Sequence, residues 1–229
     1  MKLSILIPSK RPSLLFQFIN SLKHNSADFN SIELVILEDS VGEHLMYRDE
    51  NEVRILHPKT PYVSDLLYEC FANSTGDWIM FGNDDLIMET KNWDLYIKKA
   101  IEMFPDEIVM FYPNDTIFGQ DFACFPIVSR KVLEVSNFFP LPNYRKYKID
   151  DTLLQIMPRN RIFYLDQITL RHLNVIEDEK DVSSNNWGYK SINEYGIADH
   201  ETFKNSFEKI VEMRKKLEAA MGELVHGNS

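Results

Sequence analysis

The sequence predicts an α/β fold with a mostly parallel central sheet that is flanked by helices and followed by a C-terminal helix. Short apolar runs of strand length alternate with amphipathic segments of helix length along the first half of the chain. A strand, a helix and a strand at this spacing form a right-handed crossover, which makes the two strands parallel. With 229 residues, of which 44% are hydrophobic, the chain can build one large domain with a sizeable core.

The first half of the chain predicts strands and helices in alternation. Pro12 opens the first helix, because proline is tolerated in a first turn, and Ser64 is predicted to cap the second helix. Pro105 stops the third helix, which begins near Trp93. The apolar runs that we interpret as strands are 3–7, 32–37, 53–56, 78–81 and 107–112.

The second half is less regular. The loop 138–144 holds two prolines and several aromatic residues, which form either a surface loop with its rings in the core or a platform for a sugar. Residues 162–172 predict strand structure, and the polar segment 174–186 predicts a loop that is either simply solvated or a lid that orders on ligand binding. A terminal helix over 199–217 has an apolar face, which packs on the domain or on a second subunit.

Composition narrows the class of protein. A formal net charge of −10 gives no electrostatic support for a nucleic-acid partner. We expect the two cysteines, Cys70 and Cys124, to be buried free thiols, which indicates a reducing compartment. The apolar start is too short for a signal peptide, and no stretch reaches the roughly 20 apolar residues of a membrane span. The sequence therefore predicts a cytoplasmic protein.

An acidic turn, Asn83-Asp84-Asp85, follows the apolar run 78–81. Two adjacent carboxylates at the end of a strand repel each other, and a divalent cation offsets that repulsion. Hard oxygen ligands suit magnesium or manganese. The alternative is an ordinary polar turn, because Asn and Asp are common turn residues.

Two other polar turns follow predicted strands, namely 8–11 and 38–40. The carboxyl ends of parallel strands meet at one edge of a sheet, where open α/β sheets bind their ligands. The three turns together therefore predict a nucleotide site. The first turn has no Gly-x-Gly-x-x-Gly pattern, which argues against a dinucleotide-binding domain, and the chain has no Walker loop.

The order and spacing of these turns resemble the family 2-like nucleotide-sugar glycosyltransferases, which have the Rossmann-like GT-A fold. The matching features in the first half are the opening strand with its proline, a second strand closed by Asp39, and the acidic turn, in which Asn83 stands where the family commonly has Asp. The resemblance implies that Asp39 contacts the nucleoside of the donor. It implies further donor contacts from Pro8, Ser9, Arg11 and Asp84.

The resemblance extends to about residue 172. Asp151-Thr152 is similar to the family's second acidic motif, an Asp-Thr at a helix start, and this implies that Asp151 is the catalytic base, with Asp150 as the alternative. From the residues alone, a helix cap is the competing interpretation. His172 stands about twenty residues later, where many of these enzymes place a metal-binding or diphosphate-binding histidine. The implied ligands of Mn²⁺ or Mg²⁺ are therefore Asp85 and His172, with Asp84 as the second choice among the carboxylates.

The resemblance implies a metal-dependent, hexosyltransferase-like enzyme that moves a sugar from a nucleotide sugar, with a UDP-sugar as the first choice, to an acceptor hydroxyl with inversion. One domain over 1–229 would have a donor half (about 1–115), an acceptor half (about 116–198) and a C-terminal helix and tail (199–229). A non-catalytic nucleotide-sugar-binding protein stays open, because Asn83 departs from the family turn. A nucleotidyltransferase ranks lower, because the turn after the first strand contains no glycine.

Overall fold

The computed structural model describes residues 1–38, 50–56, 60, 62–173 and 195–226. Asp39, for which the sequence predicts the nucleoside contact, lies outside the described residues, and so does the segment 174–186. Within these ranges the strands are β1 (Leu3–Ser9), β2 (Ile32–Glu38), β3 (Glu52–Leu56), β4 (Trp78–Phe81), β5 (Leu86–Met88), β6 (Met110–Asn114), β7 (Ile127–Ser129) and β8 (Ile162–His172). The helices are α1 (Pro12–Asn25), α2 (Val63–Ala72), α3 (Trp93–Ile101), α4 (Arg130–Ser136), α5 (Ile149–Ile156), α6 (Ile197–Asn205) and α7 (Phe207–His226).

The strands form one sheet in the order β3-β2-β1-β4-β7-β6-β8-β5. Strands β3, β2, β1 and β4 pair in parallel, and so do β6 and β8. Strand β7 runs antiparallel to both β4 and β6, so β6 and β8 point the same way as β4. The carboxyl ends of β1, β2, β4, β6 and β8 therefore lie along one edge, as the mostly parallel sheet of the prediction requires.

Helices cover both faces of this sheet, because β1 and β2 are apolar on both sides. One hydrophobic cluster joins one face to α1 and α3, and the predicted core face of α1 is buried in it: Leu15, Phe18, Ile19 and Leu22. The other cluster joins the opposite face to α2, α4, α5 and α7. Helix α7 contributes Ile210, Met213 and Leu217 to that cluster, so its apolar face packs on the domain.

Three local predictions were wrong. The single terminal helix predicted over 199–217 is interrupted at Ser206, where α6 ends, and α7 begins at Phe207. Ser64 does not cap α2: the helix begins at Val63, and the Ser64 hydroxyl donates to the carbonyl of Tyr144 at 3.3 Å. The strand predicted at 107–112 begins only at Met110, because Glu107 takes a left-handed backbone conformation with φ 59°. The apolar runs therefore located α2 and β6 correctly, but they did not determine the residue at which each element begins.

The aromatic residues of 138–144 do not form an exposed sugar platform. The side chains of Phe138 and Tyr144 are fully buried in the core. Phe139 stacks on Phe71 with ring centroids 5.0 Å apart. The interpretation with the rings in the core is therefore correct, as is usual for aromatic side chains near a hydrophobic cluster.

The amino-terminal edge of the sheet is held together by Glu33, a buried carboxylate on β2. It accepts hydrogen bonds from the hydroxyls of Ser4 at 2.5 Å and Thr75 at 2.6 Å, from the Thr75 N–H at 2.7 Å and from Lys2 at 2.9 Å. Gly76 is required beside this cluster, because a Cβ atom there would lie 2.5 Å from the Ser4 oxygen. Burial acts to raise the pKa of Glu33, but these donors outweigh it and lower the pKa to about 2.

Replacing Glu33 by glutamine should lower the free energy of unfolding at pH 7 by about 2 kcal/mol, because the lowered pKa represents stabilisation of the ionised form. A carboxyl group with a lowered pKa stabilises the fold above its unfolded pKa, and this contribution disappears as the pH falls from 4.5 to about 2. The difference between wild type and Glu33→Gln, measured by urea unfolding, should therefore shrink over that window. The exposed Glu102→Gln is the matched control. A difference of equal size at pH 7 and pH 2.5 would contradict the assignment.

Candidate active site

Polar side chains collect at the carboxyl edge of the sheet. Asp84 follows β4 and is buried, and its carboxylate accepts from the Ser9 hydroxyl at 3.2 Å and from the N–H groups of Lys10 and Arg11 at 2.9 Å each. The Arg11 guanidinium also donates to Asp84, from Nε at 3.0 Å. Asp84 therefore joins the turn after β1 to the turn after β4. The Asn83 side chain stabilises the same turn by accepting from the Asp84 N–H at 3.0 Å.

Arg11 is the partner of both acidic side chains. Its Nη2 atom contacts a carboxylate oxygen of Asp84 and lies 3.1 Å from Oδ2 of Asp85. Burial acts to lower the pKa of the guanidinium, but the two carboxylates outweigh it and raise the pKa. The sequence predicted a cation because the carboxylates of Asp84 and Asp85 repel each other. The Arg11 guanidinium already offsets part of that repulsion.

Asp85 also meets His172, which ends β8. Oδ1 of Asp85 lies 3.5 Å from Nε2 of His172, and the Asp85 carbonyl accepts from the N–H of Leu173 at 2.9 Å. The ring of Phe125 packs edge-on against the imidazole with centroids 5.1 Å apart. Burial acts to raise the pKa of Asp85, yet His172 and Arg11 keep it below its usual value. The two residues predicted to bind metal are therefore neighbours in space.

The pair of Asp85 and His172 fits a divalent cation. Oδ1 of Asp85 is buried and has no hydrogen-bond partner within the described residues, and Nε2 of His172, which faces it at 3.5 Å, is a nitrogen that could share a cation with it. Such atoms are costly to leave unpaired, so a ligand or ion is a reasonable partner for the carboxylate oxygen. Nowhere in the described ranges do three or more His, Cys, Asp or Glu side chains form a metal-binding group. The remaining ligands of a cation here would therefore be water or oxygens of a bound ligand, as is common for magnesium.

Asp115, which follows β6, was missed by the sequence reasoning. Its buried Oδ1 accepts from the N–H groups of Phe118 at 2.9 Å and Gly119 at 2.8 Å, and its carbonyl accepts from the N–H of His172 at 3.1 Å. It therefore fixes both the loop after β6 and the end of β8. A usable signal was present, because Asn114-Asp115 follows an apolar strand just as Asn83-Asp84 does.

The second acidic pair begins α5. Lys148, which directly precedes the helix, has a left-handed backbone with φ 75°, and its Nζ lies 2.9 Å from Oδ1 of Asp151. Burial, followed by the charges of Asp151 and Asp115, raises the pKa of Asp150 to about 7. Asp150 lies near enough to Asp115 for the charge of Asp115 to contribute to this raised pKa. The two neighbouring carboxylates therefore have different environments.

A further buried carboxylate, Asp199 of α6, holds the loop that leads into α5. It accepts from the N–H groups of Arg145 at 2.8 Å, Lys146 at 3.0 Å and Tyr147 at 2.8 Å. In the sequence, Asp199 is recognisable only as the first residue of the predicted terminal helix. Its hydrogen bonds join it to residues more than fifty positions away, and no local pattern indicates them.

Arg171 has the environment of a surface charge, and Cys70 and Cys124 have that of core thiols. Arg171 pairs with Glu89 at 2.5 Å on the surface, as expected for a solvated charge. Cys70 and Cys124 are buried free thiols, as predicted, and burial raises the pKa of both. Of the helices in the described ranges, none has both the length and the apolar character that crossing a membrane requires.

The chain is similar to known proteins in structure, whereas its sequence matches no family model and no curated protein. Among solved structures, S. aureus TarS 1–349 in complex with UDP superposes with a TM-score of 0.55 at 13% identity, covering 74% of this chain and 59% of that one. The mannosyltransferase PcManGT from Pyrobaculum calidifontis, in complex with GDP-Man and Mn²⁺, gives a TM-score of 0.56 at 9% identity over 100% of this chain and 76% of its own.

The chain has a GT-A-like fold. A third structure supports this: glucosyl-3-phosphoglycerate synthase from Mycobacterium tuberculosis, in complex with Mn²⁺, UDP and glucosyl-3-phosphoglycerate, has a TM-score of 0.51 at 15% identity and covers 85% of this chain and 80% of its own. The GT-A-like fold confirms the predicted fold class. At these identities the likeness concerns the fold, and the residues of the site have to carry any statement about function.

Proposed function

We propose that this protein is a metal-dependent glycosyltransferase that moves a sugar from a nucleotide-sugar donor to an acceptor hydroxyl. The observation that carries the proposal is the contact between Asp85 and His172 at the carboxyl edge, where a buried carboxylate oxygen has no hydrogen-bond partner among the described residues. Solved structures with the same fold are complexes with UDP, with UDP-GlcNAc and with GDP-Man and Mn²⁺. We favour a UDP-sugar as donor and a hexose as the transferred group.

Asp85 and His172 would hold Mn²⁺ or Mg²⁺. When bound, the cation supplies positive charge that stabilises the negative charge developing on the departing diphosphate. Pro8, Ser9 and Arg11 would line the donor side. Asp84 would act on the donor indirectly, by holding the backbone of the turn after β1. Its carboxylate already accepts hydrogen bonds from the backbone N–H groups of Lys10 and Arg11.

Asp151 is the proposed base that takes the proton from the acceptor hydroxyl, which then attacks the anomeric carbon from the face opposite the nucleotide and inverts its configuration. The Lys148 ammonium beside Asp151 compensates the charge of its carboxylate. Asp150, with its pKa raised to about 7, would hold a proton on part of the molecules at neutral pH. A carboxyl group with a raised pKa beside the proposed base is typical of acid–base sites.

The proposed halves follow from where these residues lie in the chain. The donor side would come mainly from about 1–115, with Asp39 as the proposed nucleoside contact. The acceptor side would come from about 116–198, and 199–229 would form the C-terminal helix and tail. Because Asp199 holds the loop before α5, the C-terminal part supports the acceptor side as well.

A non-catalytic nucleotide-sugar-binding protein is the second candidate. The observation that favours it is the contact of Arg11 with both Asp84 and Asp85, which compensates the acidic pair without a metal. Such a protein would bind a nucleotide sugar in the absence of Mn²⁺ and would not hydrolyse it.

The deciding experiment is a thermal-shift series with UDP-, GDP-, CMP- and dTDP-sugars, each with Mn²⁺ and with EDTA. We expect a UDP-sugar to raise Tm only with Mn²⁺, since a ligand at 100 times its Kd stabilises the fold by about 2.7 kcal/mol. The shift should vanish in Asp85→Ala. A shift that persists in EDTA would favour the binding protein, and no shift with any nucleotide would contradict both candidates.

A further inference from the structure

A basic loop lies beside the proposed base. We use this name for residues 144–148, with the sequence Tyr-Arg-Lys-Tyr-Lys. The chain as a whole carries a net charge of −10, yet the stretch 135–149 contains three cations and no Asp or Glu. An acidic protein that binds an anion has to concentrate positive charge where the anion binds. The basic loop is such a concentration.

The backbone of the basic loop is fixed from two sides. Asp199 accepts three of its N–H groups at 2.8 to 3.0 Å. On the other side, its carbonyls at Tyr144 and Arg145 accept from the N–H groups of Ser64 at 3.2 Å and Val63 at 3.4 Å. The loop therefore presents its side chains from a rigid base, which reduces the entropy that binding would otherwise cost.

Arg145 and Lys146 are the cations that remain for a ligand. Both are exposed, and among the described residues neither forms an ion pair, whereas Lys148 pairs with Asp151. The Arg145 guanidinium lies over the rings of Tyr195 at 5.5 Å and Tyr62 at 5.9 Å, and the Lys146 ammonium lies over Tyr147 at 5.6 Å. Aromatic faces of this kind orient a cation without neutralising its charge.

The basic loop runs directly into the start of α5. Lys148 is its last residue, and it contacts the carboxylate of Asp151, which is the proposed base. An acceptor hydroxyl that reaches Asp151 therefore brings the rest of the acceptor next to the basic loop. The donor-side residues, by contrast, follow β1, β4 and β8.

We propose that the basic loop binds an anionic group of the acceptor, so that the acceptor carries a phosphate or a carboxylate. The inference rests on the proposed function, because it assigns the substrate class of the same site. Arg145 and Lys146 provide the charge, and Asp199 holds them in place. A neutral sugar would reach the base without this contact and would bind more weakly.

The test compares matched ligands and matched variants by calorimetry on the full chain. The ligand pairs are glucose 6-phosphate with glucose and glycerol 3-phosphate with glycerol. The double variant Arg145→Gln/Lys146→Gln should weaken binding of each phosphate ester at least 10-fold and leave the neutral partner unchanged. The control Lys98→Gln/Lys99→Gln removes the same charge from the exposed end of α3 and should change neither. Added salt should weaken only the binding of the phosphate esters.

Phosphate esters that bind no more tightly than their neutral partners would overturn the inference. So would a double variant that weakens the Mn²⁺-dependent binding of a UDP-sugar instead, because the loop would then serve the donor. Binding to phosphatidylglycerol vesicles without binding to either phosphate ester would assign the loop to a membrane surface and would also overturn it. In each case a thermal shift of the wild-type protein with a UDP-sugar and Mn²⁺ leaves the proposed function standing, and only the absence of that shift in the wild-type protein refutes the proposed function.

Discussion

Replacing Asp85 by alanine is expected to lower Mn²⁺-stimulated hydrolysis of a UDP-sugar by about 10² to 10⁴-fold. A cation that stabilises charge in the transition state contributes several kcal/mol, and each 1.36 kcal/mol is a factor of ten in rate. The variant removes the carboxylate that lies 3.5 Å from His172. It also takes one anionic partner from Arg11, which keeps the partner Asp84.

Asp77→Ala is the matched control for Asp85→Ala. Asp77 precedes β4 and Asp85 follows it, so the two variants remove the same group at opposite ends of one short strand. Initial rates measured over a Mn²⁺ titration should be unchanged for Asp77→Ala. If Asp85→Ala kept a Mn²⁺-stimulated rate within a few-fold of wild type, Asp85 would not be a metal ligand, and its role would be limited to its contacts with Arg11 and His172.

Replacing Asp151 by asparagine is expected to lower the rate of transfer to an acceptor hydroxyl by about 10² to 10⁴-fold, which is the usual contribution of a general base. Asparagine keeps the shape of the side chain but cannot take a proton. Donor binding should be preserved, because the donor-side residues lie elsewhere. Rates of transfer and the donor thermal shift, measured side by side, separate the two effects.

Asp150→Asn changes the neighbouring carboxylate and is expected to alter the pH dependence of stability. A carboxyl group whose pKa is raised by the fold destabilises it once ionised, so this cost appears as the pH rises from 3.8 to about 7. Asp150→Asn should therefore have a higher Tm than wild type at pH 8 and a similar Tm at pH 4, with a loss of transfer of only about tenfold. If Asp150→Asn lost more activity than Asp151→Asn, the base would be Asp150.

Local patterns in the sequence were sufficient to predict the elements that build the carboxyl edge of the sheet, which is the proposed donor edge. The apolar run from Trp78 to Phe81 is buried as β4, and the acidic turn follows it directly, as the sequence predicts. The α1 helix begins at Pro12, as its proline predicts. These features depend on neighbouring residues, which a sequence displays directly.

Contacts between distant residues could not be predicted in this way. Arg11 meets Asp84 across 73 positions, so the compensation of the acidic pair by an arginine was invisible in either motif. Asp199 reaches the loop at Arg145 across 54 positions. The position of Phe138 in the core likewise depends on which face of the sheet α4 covers. In each case tertiary packing decided among interpretations that the sequence left open.

The three hydrogen bonds that Asp199 accepts from the loop before α5 determine the order in which parts of a growing chain can become functional. Synthesis delivers β1, α1, β2 and β4 first, so the donor edge can begin to assemble early. The loop at 145–147 must wait for the carboxylate that holds it, since residue 199 emerges more than fifty residues later. We therefore expect a nascent chain to acquire the donor edge before it has a positioned base, so that transfer begins only when α6 has docked.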